Sequence, residues 1–155
     1  MCLGTISNFL RACLKDLFVW RLALTVYLGG LSLIGFWPTP VDRPIQGTLA
    51  SVLGFLHGFG APSWFDYHFV EASANVAIFV PLGILASLAL PTKSWWQLAG
   101  IGLLASTCME LGQLLFISSR YASYLDVVTN SFGAVTGILS TRLVVRLRNA
   151  REAKA

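Results

Sequence analysis

Residues 72–117 read ASANVAIFVPLGILASLALPTKSWWQLAGIGLLASTCMELGQLLFI, two apolar runs joined by the short polar link Pro91–Ser94. Each run is about 20 residues long, the length an α-helix needs to cross a hydrocarbon core at about 1.5 Å per residue. The pattern predicts a helical hairpin of two spans, about 72–90 and 95–117. Paired Trp95 and Trp96 stand at the second entry, the depth amphipathic rings prefer. Pro81 lies inside the first span and predicts a kink, because it removes one backbone hydrogen bond.

Outward from the hairpin, a fourth span is expected at about 124–145, less apolar than the rest. A first span is expected at about 18–37, with Trp20 and Trp37 at its ends and Arg21 one turn inside, able to snorkel to water. Pro38 and Pro40 stop it. Before it, Ile6, Phe9, Leu10, Cys13, Leu14 and Leu17 fall on one face of a helix over residues 5–18, opposite Asn8, Arg11, Lys15 and Asp16. That spacing predicts an amphipathic helix on the membrane surface, or else a plain extension of the first span. Ile45, Leu49, Val52, Leu53, Leu56 and Phe59 predict another short helix, interfacial or re-entrant, ended by Gly58, Gly60 and Pro62.

Composition agrees with this fold class: an all-α integral membrane bundle of four spans plus two surface helices, in one domain covering 1–155. Hydrophobic residues make up 55% of the chain and charged residues only 12%, against about 25% charged in soluble domains. Mean hydropathy is +0.70. The net charge of +4 does not indicate nucleic acid, because the basic residues flank spans. Arg11, Lys15, Arg21, Lys93, Arg142, Arg146, Arg148, Arg151 and Lys154 fall on one side of a four-span topology; only Arg43 and Arg120 fall on the other. The positive-inside rule then puts both termini in the cytoplasm. Cys2, Cys13 and Cys108 have neither metal nor disulfide spacing, and Cys108 is expected to be a small packing residue. His57 and His68 are too isolated for a zinc site, and no metal or cofactor is expected.

Polar residues inside the spans carry the functional signal. Glu110 and Gln113 share a face of the third span, Asp126 and Asn130 share a face of the fourth, and Asn75 lies near the start of the second. On the expected topology all five lie in the outer half of the membrane, Glu110 roughly 10 Å below the end of its helix. Arg120 sits on the turn above them. An acid at a helix centre costs about 2.5–3.5 kcal/mol on insertion scales, so Glu110 is the residue that most asks for a purpose. The amides can also serve only to join helices, Asp126 can cap its helix, and Gly133-x-x-x-Gly137 is a close-packing pattern.

These residues also resemble a known family. Glu71-x-x-x-Asn75-x-x-x-Phe79-x-Pro81-x-Gly83, followed by Glu110-x-x-Gln113, Arg120, Asp126, Asn130, Gly133 and Gly137, is similar to the motif series of VanZ-like proteins over about 70–143. The resemblance implies a multi-pass bacterial membrane protein, in a family whose founding members are associated with low-level resistance to the lipid-anchored glycopeptide teicoplanin. Three functional classes follow. The first is a binding or envelope-modulating protein whose ligand residues are Glu71, Asn75, Glu110, Gln113, Arg120, Asp126 and Asn130. Its partners would be membrane lipid, a lipid-linked cell-wall precursor or an acylated glycopeptide. The second is an intramembrane enzyme with Glu110 or Asp126 as acid or base. The third is a helical scaffold.

Overall fold

A computed structural model describes residues 2–37, 43–117 and 123–154, with side chains from Lys15 onward, Arg43 excepted. Arg120 and the rest of 118–122 lie outside the described residues. The elements are α1 (Cys2–Gly35), a 3-10 turn (Arg43–Ile45), α2 (Gln46–Gly58), α3 (Tyr67–Ala89), α4 (Trp95–Phe116) and α5 (Tyr124–Glu152); no strand occurs among the described residues.

Three segments are long and apolar enough to cross a membrane: Lys15–Gly35 in α1, all of α3 and all of α4. The expected fourth helix forms and extends to Glu152, but its composition does not reach that threshold. Asp126, Asn130, a series of threonines and a basic C-terminal end dilute it. The number of candidate spans is therefore three, not four. At the other end of the chain, the surface helix expected over 5–18 and the span that follows form one continuous helix, α1. No proline interrupts residues 1–37, and a change of solvent partner alone does not break a helix.

Local signals set the other boundaries. Asp66 caps α3 by accepting from Phe69 N at 3.0 Å, starting the helix earlier than hydropathy alone suggests. Gln97 Oε1 accepts from Ser94 N at 2.9 Å at the start of α4. Beyond α2, Ala61 N reaches Leu56 O and Gly60 N reaches His57 O, both at 3.0 Å, with Gly60 at φ +93°. This is a Schellman stop, and it needs the residue that adopts positive φ without strain. Helix α3 continues through Pro81. Tyr27 Oη donates to Ile78 O at 2.6 Å in the turn that the proline weakens.

The centre of the molecule is the α3–α5 pair. Asn75 meets Asp126, Gly133 meets Val76 and Gly137 meets Val80, an ascending order that makes the two helices parallel. A Cβ on Gly133, Gly137 or Gly83 would collide with the carbonyl oxygen of Val76, Val80 or Ala134. Only glycine lets the backbones approach this closely, as in small-x-x-x-small membrane interfaces. Helix α4 runs antiparallel beside α5, with Leu98 and Ile138 packed near Ala86. Helix α1 lies on the outside of α3, through Leu24, Tyr27 and Leu31.

The bundle is inverted relative to a water-soluble one. Helix α4 buries Leu98, Gly102, Ser106, Glu110 and Gln113, while Leu103, Leu104, Leu111, Leu114 and Leu115 are exposed. Apolar exteriors around polar interiors suit a protein whose solvent is lipid. Helix α2 touches the rest of the bundle through α3 and buries only Leu53. Val52, Phe55, Phe59 and Trp64 stay exposed, and Trp64 and Phe65 each stack near Phe69 with ring centres 5.2 Å apart.

Candidate functional site

The helix directions bring the C-terminal ends of α1 and α4 to the same end of the bundle as the N-terminal ends of α3 and α5. The candidate residues collect there. Asn75 Nδ2 donates to Asp126 Oδ1 at 2.9 Å, joining α3 to α5. Ser123 N donates to Glu110 Oε2 at 2.9 Å, joining α5 to α4. Asn130 Nδ2 donates to Ser106 Oγ at 3.0 Å, a second α5–α4 link. Gln113 Nε2 donates to Gly35 O at 2.9 Å, joining α4 to α1. Four helices thus meet through side chains that hydropathy alone would count against them.

Glu110 is only 6% exposed, and its placement explains how a carboxylate is tolerated there. Ser123 is the residue before the first turn of α5, where orphan N–H groups and the helix dipole present partial positive charge. Glu110 takes one of those N–H groups from a neighbouring helix, while Asp126 occupies the first turn of α5 itself. Ser123 connects the two acids, since its carbonyl accepts from Asp126 N at 3.2 Å. Two carboxylates at one helix start form an electronegative corner favourably placed against the dipole.

Beneath this corner the layer is tighter. Ser106 is fully buried and Asn130 is 4% exposed. Asn130 Oδ1 is buried without a hydrogen-bond partner, as is Ser131 Oγ beside it. Such orphaned acceptors are uncommon, and each has room in its hydrogen-bonding for a water or a ligand donor. Glu71, in the first turns of α3, has a half-exposed side chain 3.8 Å from His68. Between α1 and α4, a partly open cavity of about 320 Å³ is lined by Leu28, Leu31, Phe36, Phe79, Ala105 and Met109. Cys108 lines it too and is exposed, so it is a cavity-wall residue and not the packed one expected.

Sequence reasoning missed Ser106, Ser123 and Tyr27. Ser106 was detectable in principle, because it lies one turn from Glu110 on the same face of α4. Ser123 contributes through its backbone and Tyr27 through a carbonyl it meets on another helix, and neither leaves a mark in residue type. Among the described residues, no group of three His, Cys, Asp or Glu side chains gathers as a metal site would require.

A sequence profile of the VanZ/LLP1 family matches residues 21–145. The chain belongs to the VanZ/LLP1 family. The match takes in the C-terminal part of α1 from residue 21, all of α2, α3 and α4, and α5 down to the start of its basic end, so it includes every residue of the polar layer. It reaches well beyond 70–143, the stretch over which the motifs themselves are readable. No curated protein and no solved structure matches the chain.

Proposed function

We propose that this VanZ/LLP1 protein is a component of the bacterial cytoplasmic membrane that binds a polar group carried on a lipid or acyl chain. The occupants of matching chemistry are a lipid headgroup, a lipid-linked cell-wall precursor and an acylated glycopeptide, with envelope properties or teicoplanin susceptibility as the readout. The observation that carries the reading is a buried carboxylate, Glu110, at the same depth of α4 as an apolar cavity on the α1 side, although Glu110 itself faces α5. Met109 lines that cavity and Glu110 is its chain neighbour. A ligand with a hydrogen-bond-donating head and an apolar tail meets complementary chemistry at both ends. Arg120, in the segment between α4 and α5, would contact an anionic part of the same head.

On this reading α5 is the fourth crossing. It runs parallel to α3 along the same length, and Thr129, Thr136 and Thr141 donate to carbonyls one turn back at 2.8–3.0 Å. Those hydroxyls ask nothing of the lipid, so hydropathy scales overstate the polarity of α5. The basic residues then place both termini in the cytoplasm and the polar corner in the outer leaflet.

The test is binding of a photo-crosslinkable acylated precursor, and teicoplanin susceptibility, in cells expressing wild type, Glu110→Ala and Asp126→Asn at matched membrane abundance. Loss of both readouts, about tenfold or more, supports the site. Unchanged readouts in both variants sink it. A scaffold reading has its own support: Asn75, Gln113 and Asn130 each already donate to a neighbouring helix. It is favoured if Glu110→Gln lowers melting temperature and cellular abundance in step with binding.

A further inference from the structure

A second cavity, of about 330 Å³, lies at the opposite end of the bundle, between the last turn of α3, the α3–α4 link and the C-terminal half of α5. Its polar lining is Ser87, Lys93, Thr141, Arg142 and Arg146, with no acidic residue, and the Thr141 hydroxyl is already committed to Gly137 O. Leu88 and Val145 add apolar wall. We infer that this cavity is a binding site for a phosphate-bearing anion, independent of the polar corner at the other end.

Three observations separate this cavity from the ordinary scatter of basic residues beside a span. The first is concavity: three cations line one partly open cavity, whereas Arg148 and Arg151, further along α5, do not line it. The second is order. One guanidinium nitrogen of Arg142 donates to Lys93 O at 2.5 Å, which fixes α5 against the link and leaves the other N–H groups of Arg142 to face an acceptor. The third is an orphan. Ser87 lines the cavity, and its Oγ is buried without any hydrogen-bond partner. A hydroxyl donor beside Arg and Lys side chains is a phosphate-binding set. Among the described residues, no carboxylate forms an ion pair with Lys93, Arg142 or Arg146, and none lines the cavity.

The phosphate can come from two sources, a lipid phosphodiester or a soluble phosphate compound. A half-apolar wall suits a lipid whose glycerol backbone lies against Leu88 and Val145. The experiment uses the full chain in detergent and in nanodiscs. Saturable binding is measured by native mass spectrometry with phosphatidylglycerol, phosphatidylcholine and inorganic phosphate. Variants are Arg146→Gln, Arg142→Gln/Arg146→Gln, Ser87→Ala and the charge-matched control Arg148→Gln/Arg151→Gln.

The inference expects phosphatidylglycerol or inorganic phosphate to bind saturably, the preferred probe identifying the source. Affinity should fall about fivefold in Arg146→Gln and more than tenfold in the cavity double variant. Ser87→Ala should lose affinity to a lesser degree, and the charge-matched control should stay near wild type. Arg146 makes no hydrogen bond to the link, so its single variant reads binding without loosening the fold. Equal losses in the two double variants, or no saturable binding of any probe, would overturn the site in favour of diffuse surface attraction. Because neither Glu110 nor Asp126 takes part, failure here leaves the proposed function untouched, and the reverse holds as well.

Discussion

Helices α1 and α5 make an instructive pair. Helix α1 contains one of the three apolar spans, yet it lies on the flank of the bundle and turns Val26 and Leu33 outward, 67% and 71% exposed. Helix α5 falls short of the same threshold, yet Asn130, Gly133, Ala134, Gly137 and Ile138 are all buried at the centre. Apolarity here measures contact with lipid, whereas small and polar residues measure contact with other helices. The least apolar long helix is therefore the one that assembles the others. That ordering can be broken or sharpened by substitutions on the two helices.

The largest effect should come from the glycine seam of α5. A leucine at Gly137 would force its Cβ into Val80 O, and at Gly133 into Val76 O, both backbone atoms held inside α3. Neither can move aside as a side chain would. Gly137→Leu is expected to cost about 3 kcal/mol or more, seen as loss of a folded, monodisperse protein in detergent and low membrane abundance. If Gly137→Leu melted like wild type, α5 would not be the assembling helix. Gly102→Ala should be milder, because its Cβ would meet one atom, Ala134 Cβ, at 2.9 Å, a smaller overlap than that of a Gly137 Cβ with Val80 O.

Next comes Glu110→Ala. It removes a carboxylate from a nearly closed site and strands Ser123 N at the start of α5, a loss of about 2 kcal/mol. Thermal unfolding should show it, and Glu110→Gln should recover part of it by offering an uncharged acceptor to the same N–H. Gln113→Ala should cost less, about 1 kcal/mol, since an interhelical amide bond in a membrane bundle is a modest contributor. The bond it loses runs to Gly35 O, so hydrogen exchange should rise at the end of α1 and not along α5.

Much of this architecture was legible in the sequence, because apolar run length, paired tryptophans and bracketing prolines are direct consequences of crossing a hydrocarbon layer. The positions of α3, α4 and α5 and of the short α2 follow from them. Two features were left undecided for physical reasons. The continuity of α1 through residues 5–18 was one of two readings the pattern left open, because a change from amphipathic to apolar pattern alters what surrounds a helix and not its backbone. The number of spans is not fixed by composition alone, because the polar side chains of α5 bond to other helices and to its own backbone. Asp126 meets Asn75, Asn130 meets Ser106, and the threonines meet carbonyls one turn back. For the site, Asn75, Glu110, Gln113, Asp126 and Asn130 were readable as polar residues within apolar runs. Their partners, Ser123 N and Gly35 O, are backbone groups that no residue type announces. Glu71 entered as a ligand residue only through the family motif, and it lies in the first turns of α3, 3.8 Å from His68.

The smallest effect belongs to α1, and it sharpens the comparison most economically. Gly29 and Gly30 resemble the seam glycines in type, but a Cβ on either would meet nothing within 4 Å. Gly29 shares its face of α1 with Val26 and Leu33, which are exposed, so no backbone approaches it. Replacing Gly29 by Ala removes conformational freedom from the unfolded chain at a position whose helical geometry alanine prefers. It should leave stability unchanged or raise it by up to about 1 kcal/mol. A melting temperature lower than wild type would mean that a surface absent from the monomer packs against this stretch of α1, a second copy or another protein being the obvious occupants. An equal or higher melting temperature would leave glycine in this chain with two separate meanings, an obligatory contact on α5 and a tolerated flexibility on α1.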